Sequence, residues 1–274
     1  MIPAFNSQMP PDVDAIREWL SRLRSQQGLA QAQSTIINLT HRFPDEVGLQ
    51  ALRDWYDPVW WQPIQFGAVR LERRNPDHFE FLWSLVLQKK DFVHQLKHLP
   101  PSLTPRDLML ILTNEAKALI PESRSITWVI YKGDQPIGLS LFVNINFKNR
   151  TAEQIMGILP EFDSSFLVAD AYFSSLSFAF NTLGLNKVQG LIYDTNESAA
   201  TLQQRFGFQR EGVIRQAVWS ESDQRYLDLI QISLLHEEFL AGRFIQRYIG
   251  REARGDFLTT RRDWPRSTSE KFRG

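Results

Sequence analysis

The 274-residue sequence contains no cysteine. That absence removes disulfide frameworks, thiolate nucleophiles and cysteine-ligated zinc together. Net charge is absent too, since 31 basic side chains balance 31 acidic ones. A neutral chain argues against nucleic acid or an anionic membrane as its main partner. No uninterrupted apolar run is long enough to cross a bilayer, so no membrane span is expected. The opening residues, Met1 to Asp12, lack the charged stretch and apolar core of a secretion signal, and the expected location is cytoplasmic. Metal-ligand patterns are equally thin. His236, Glu237 and Glu238 are adjacent, so their side chains diverge. His94 and His98 stand four apart without the carboxylate of an H-E-x-x-H pattern. No metal is expected.

What is present is ordinary for a globular protein: 43% hydrophobic and 23% charged residues. Within an N-terminal domain expected over 1–63, Asp12 to Trp55 carries helical periodicity, with Ile16, Leu20 and Leu23 on one segment and Ala32, Ile36 and Leu39 on the next. Gly28 punctuates them, Phe43-Pro44-Asp45 ends the second, and Val47, Leu49 and Leu52 begin a third. This all-α unit loosely resembles a tetratricopeptide repeat. One repeat cannot bury its apolar face alone, so it must pack on the adjoining domain or on a partner. Trp55, Trp60 and Trp61, with Pro58 and Pro63, mark an inter-domain seam, with a peptide-binding surface as the other reading.

A second domain is expected over 64–241, and then a basic tail, 242–274. Phe66–Glu72 reads as its first strand, with helices over Asp77–Leu99 and Thr104–Leu119 separated by Pro100-Pro101. Ile126–Tyr131 and Pro136–Phe142 form a hairpin around Lys132-Gly133-Asp134-Gln135. Gln154–Leu159 is a strand and Phe166–Leu183 a helix. Then come the strand Lys187–Tyr193, a helix capped by Asn196 and ended by Gly207, and strands Ile214–Trp219 and Tyr226–Leu235. Strands interleaved with helices give a three-layer α/β fold.

The run Lys187–Arg215, with Asn196, Gly207, Phe208, Glu211 and Gly212 at its marker positions, resembles the C-terminal half of a GNAT acyltransferase. The similarity is nearest the subgroup that acetylates ribosomal-protein N-termini. It implies a mixed central sheet flanked by helices over about Phe66–Phe239, and transfer of an acyl group from a thioester to an amine. In that family the fourth and fifth strands part and a pantetheine arm lies between them. The matching strands are Gln154–Leu159 and Lys187–Tyr193, which implies donor binding by Ile155, Gly157, Ile158 and Asn196. The family's pyrophosphate loop maps onto Asp163-Ser164-Ser165-Phe166, which has no glycine and puts Asp163 where a cation usually stands. Ser164 and Ser165 can still offer amides and hydroxyls, and Phe166 suggests a wider acyl channel. The implied donor is acetyl-CoA, a longer acyl-CoA or an acyl carrier protein, and the acceptor an amine on a peptide or protein.

Glu153 falls where the family often carries its general base, and an exposed strand-edge carboxylate is its other reading. The family's acid positions are Gln203 and Ala199 here, so no acid carries over, and Tyr193 and Ser198 are the substitutes. The rival class is a scaffold that keeps the fold without turnover.

Overall fold

The computed structural model describes residues 12–88, 103–220 and 223–251. His94, His98 and the second half of the predicted helix Asp77–Leu99 lie outside them, as does most of the basic tail.

Three amphipathic helices come first: α1 (Val13–Gln27), α2 (Leu29–Arg42) and α3 (Val47–Trp55). The Asp12 carboxylate caps α1, accepting from the amides of Asp14 and Ala15 at 3.0 and 3.2 Å. Gly28 separates α1 from α2 at φ +92°, a conformation that a side chain resists. Ile16, Leu20, Ile36, Leu49 and Leu52 meet in a core of their own. The tryptophans then seal this unit to the sheet. Trp55 and Trp61 touch both cores, Trp60 packs edge-on against Phe178, and Trp61 Nε1 donates to the Ala116 carbonyl at 3.1 Å. Arg73 lies over the Trp61 ring and donates to the carbonyls of Trp60, Glu115 and Ala118. Burial lowers its pKa to about 10, which still leaves a cation at neutral pH.

Eight strands form one sheet in the order β1-β2-β3-β4-β5-β6-β8-β7. They are β1 (Ile64–Phe66), β2 (Val69–Arg73), β3 (Ile126–Lys132), β4 (Gln135–Asn146), β5 (Thr151–Ile158), β6 (Lys187–Tyr193), β7 (Gln209–Ser220) and β8 (Arg225–Leu235). All neighbours are antiparallel except β5 and β6. Helices α4 (Phe79–Gln88) and α5 (Pro105–Lys117) cover one face, where Leu82, Leu85, Leu108 and Leu112 meet Val129, Leu139 and Leu141. Helices α6 (Ser165–Ser177) and α7 (Glu197–Arg205) cover the other, in a core with Phe173, Val188, Ile192 and Phe206.

The β3–β4 hairpin turns where expected, at Gly133 with φ +59°. The single strand expected over Phe66–Glu72 is corrected to two, β1 and β2, reversing at Gly67-Ala68. Gly67 has φ +54°, and a Cβ there would come within 2.3 Å of the Asp170 carboxylate of α6. That carboxylate accepts from the Ala68 amide at 2.9 Å, tying the hairpin tip to the helix. β5 also begins three residues before the expected Gln154, and β7 five before Ile214, because pairing with β4 and β8 extends both beyond their apolar stretches.

Candidate active site

β5 and β6 pair over three residues only: Thr151 with Lys187, Ala152 with Val188 and Glu153 with Gln189. Beyond that point each strand keeps its other neighbour. Gln154 to Ile158 stay in register with Phe142 to Gly138 of β4, and Gly190 to Tyr193 with Ile232 to Leu229 of β8. A V-shaped gap opens toward the C-terminal ends. Two features hold the open stretch of β5 against its other neighbours. At Gly138 the β4 and β5 backbones approach so closely that a Cβ would sit 2.3 Å from the Gly157 carbonyl oxygen. At the fork itself, buried Gln154 donates from Nε2 to Ser175 Oγ of α6 at 2.7 Å. Facing edges without each other as ladder partners present donors and acceptors to an extended amide-bearing ligand.

Side chains alternate across the sheet, so the two faces of the fork differ. Ala152, Val188 and Ile192 face α6 and α7 in the main core. Glu153, Gln189 and Leu191 face the other way. With Gly190, Ile214 and Gln231 they line a cavity of about 170 Å³ at the crotch of the V. Asn144 Nδ2 donates to Glu153 Oε2 at 3.4 Å. Among the described residues, Glu153 is therefore the carboxylate of this cavity beside the gap. Tyr193 shares its strand face at the open end of β6, and burial raises its phenol pKa, which keeps it protonated. Neither Tyr193 nor Ser198 lines the Glu153 cavity, and Ser198 is exposed at the start of α7.

The donor-side residues are spread along the fork. Ile155 packs toward the α4–α5 face and Ile158 toward α6, leaving the backbone of 155–158 along the open edge of β5. Ser164 caps α6, its Oγ accepting from the Leu167 amide at 3.4 Å; Asp163 is exposed and plays no capping part. Ser165 and Phe166 form the first turn, whose amides carry the positive end of the helix. Phe166 is 72% exposed, so its ring does not plug the gap. Asn196 caps α7, accepting from the Ala199 amide at 3.0 Å. In the loop 160–166 the amides of Phe162, Asp163 and Ser164 already donate to the carbonyls of Leu159, Pro160 and Phe162, which leaves the first-turn amides of Ser165 and Phe166 toward a ligand, and the loop holds no cation. An extended amide-bearing arm thus has the facing edges of β5 and β6 for partners, and a diphosphate would meet amides alone.

Sequence reasoning missed the layer behind the fork. Gln203 is buried and donates from Nε2 to Tyr172 Oη at 2.7 Å. Burial pushes the Tyr172 phenol up to about 12, with the Gln203 hydrogen bond opposing. The carboxamide oxygens of Gln154 and Gln203 are buried without a hydrogen-bond partner among the described residues. Gln203 is therefore committed to packing at the position where the resemblance expects an acid. Gln189 was legible, since alternation from Val188 places it on the face of Glu153; Gln231 and Ile214 come from strands whose register only the fold fixes.

A family model described as an acetyltransferase (GNAT) domain matches residues 68–209. An uncharacterized N-acetyltransferase of Bacillus subtilis (strain 168), YoaA, is 33% identical over 104 residues, which is 37% of this chain and 59% of that protein. The chain thus spans under two thirds of that relative's length. Among solved structures, spermidine N-acetyltransferase from Vibrio cholerae in complex with CoA and spermine aligns with a TM-score of 0.55 at 20% identity, covering 63% of this chain and 98% of that one. A structure described as a putative acetyltransferase aligns with a TM-score of 0.54 at 22% identity, covering 72% and 96%. These two likenesses establish the fold.

Proposed function

Because the chain belongs to the GNAT acetyltransferase family, we propose that it transfers an acyl group from a thioester to a primary amine by direct attack, with the thioester tether lying between the parted ends of β5 and β6. The observation that carries this reading is the loss of β5–β6 pairing immediately after Glu153 and Gln189. The fork and the cavity carboxylate lie at the same place.

In this reaction the amine nitrogen attacks the thioester carbonyl carbon, the C–S bond breaks, an amide forms and the thiol leaves. Glu153 takes the proton that the ammonium must lose, directly or through one water. Tyr193, held protonated by its partial burial, is the better-placed donor to the departing sulfur, and Ser198 the lesser one. A thiolate leaves readily enough that this second proton transfer contributes little. Backbone groups of Ile155, Gly157 and Ile158 accept the tether as an added strand. The first-turn amides of Ser165 and Phe166 face the phosphate end, since the Ser164 amide is held by the Phe162 carbonyl at 2.7 Å, and Asn196 borders the arm.

Acetyl-CoA is the first donor of this reading. Exposed Phe166 leaves room for longer acyl-CoA chains, and the cation-free loop suits the single phosphate of a carrier-bound phosphopantetheine. For the acceptor we favour an amine on a peptide or protein. A polyamine calls for several carboxylates, whereas among the described residues Glu153 is the one carboxylate lining the cavity and Glu211 is already held by Lys187 at 2.6 Å. The kinship with ribosomal-protein acetylating enzymes and the repeat-like character of α1–α3 belong to the same reading, as does a cytoplasmic setting.

The test is thiol release from acetyl-, octanoyl- and palmitoyl-CoA with a pool of peptide amines and polyamines. Release with wild type that Glu153→Gln abolishes, while donor binding persists, supports the reading. Donor binding without release from any amine makes the protein a scaffold of the same fold.

A further inference from the structure

A groove of about 690 Å³ runs between α1 and α2, in the N-terminal helical unit. Its floor is Leu23 and Leu39, each 9% exposed, and Trp19 forms a wall. Arg22 and Arg42 stand along it with the carboxamides of Gln26 and Asn38. Among the described residues no carboxylate lines it and neither arginine makes an ion pair, whereas Arg17, Arg24, Arg70 and Arg74 each have one. Arg42 also lies over the Phe43 ring at 5.5 Å, a contact that leaves its charge unneutralised, so two guanidiniums without a carboxylate over an apolar floor define an acceptor of negative charge with an apolar centre.

Spacing narrows the ligand further. The two helices reverse at Gly28, so at about 1.5 Å rise per residue Arg22 and Arg42 lie about 12 Å apart along the groove, with Trp19 between them. In an extended peptide, side chains four residues apart project to one side and are separated by about 13 Å. We propose that this groove docks an extended acidic peptide segment, with carboxylates four residues apart on Arg22 and Arg42 and an apolar side chain midway against Trp19 and Leu39. The site deepens the reading that the acceptor amine is carried on a peptide, and rests on that reading only for its purpose. Binding is measured without turnover, so a failure here leaves the transfer chemistry standing, and absent thiol release leaves the groove standing.

The probe is a fluorescein-labelled, end-blocked peptide Glu-Ser-Leu-Ser-Glu, followed by fluorescence anisotropy against the full chain. Its comparisons are Gln-Ser-Leu-Ser-Gln and the respaced Ser-Glu-Leu-Glu-Ser. The first should bind in a salt-sensitive manner, and the neutral peptide about tenfold or more weaker. The double variant Arg22→Gln/Arg42→Gln, whose exposed positions leave the helical core intact, should lose a similar factor with an unchanged thermal melt. No binding, equal binding of the neutral peptide, or full binding to the folded double variant overturns the proposal. Should the double variant not fold, the wild-type comparison of charged against neutral peptide decides.

Discussion

The two ends of the β5–β6 pair have similar core-facing residues and different fates. Ala152 and Val188 lie at the closed end, Ile192 at the open end, and all three are buried. Apolar burial therefore does not distinguish them. What differs is the claim of the outer neighbours. Past Glu153, β5 is held by β4 through the close approach at Gly138 and by α6 through Gln154 and Ser175, while β6 follows β8 to its end. A gap is thus built into a well-packed sheet by strands that keep their outer partners and part from each other. The polar residues to which we assign the chemistry, Glu153 and its cavity neighbours Gln189 and Gln231, appear on one face at the point where the strands separate.

The strongest way to sharpen this contrast is Glu153→Gln. It keeps the shape of the fork and removes the base, so transfer should fall by about 10²–10³-fold in kcat with donor affinity retained. Steady-state thiol release together with equilibrium donor binding measures both. Gly138→Ala attacks the geometry instead. Its Cβ would meet a backbone carbonyl at 2.3 Å, which cannot swing aside as a side chain would. Unfolding in urea should show a loss of about 2–3 kcal/mol, and donor binding should weaken alongside.

The layer behind the fork is structural in this account, and pH tests that. The buried Tyr172 phenol has its pKa raised to about 12, and Tyr56 likewise to about 12, both chiefly through burial. Unfolded tyrosine ionises near pH 10, so their stabilising contribution is whole below pH 10 and declines as pH rises toward 12. Tyr172→Phe should lessen that alkaline loss. It should cost about 1 kcal/mol at neutral pH through the lost Gln203 bond, and leave the transfer rate within about twofold. A large rate loss would move Tyr172 into the chemistry.

The smallest effect belongs to the closed end. Lys187 donates to Glu211 at 2.6 Å, and this bond, with that from Ser233, lowers the Glu211 pKa. The contribution is present above the unfolded carboxyl value and is lost as pH falls through the lowered one. Both side chains are partly exposed, so Lys187→Met should cost about 0.5–1 kcal/mol at neutral pH, less in acid, and leave the rate unaltered. Denaturation at two pH values checks it.

Much of this was legible in the chain. Helical periodicity located α1 to α3, Gly133 located a hairpin, and Asn196 and Gly207 bracketed α7. Glu153 and the strand Lys187–Tyr193 were legible as the residues that border the fork. The β1–β2 reversal was hidden because Gly67 interrupts an apolar run that otherwise continues as a strand. The close β4–β5 approach was hidden as well. Gly138 reads as one small residue in a strand, and its role exists only relative to the Gly157 carbonyl, a neighbour that register supplies. Gln203 showed that the expected acid was missing, and only packing showed its commitment to Tyr172.

The most direct measurement is amide hydrogen exchange with and without a non-hydrolysable acetyl-CoA analogue. The account predicts new protection in the parted segments 154–158 and 190–193, with the paired amides of 151–153 and 187–189 unchanged. Bound analogue without added protection in those segments, or protection confined to the paired end, would contradict it.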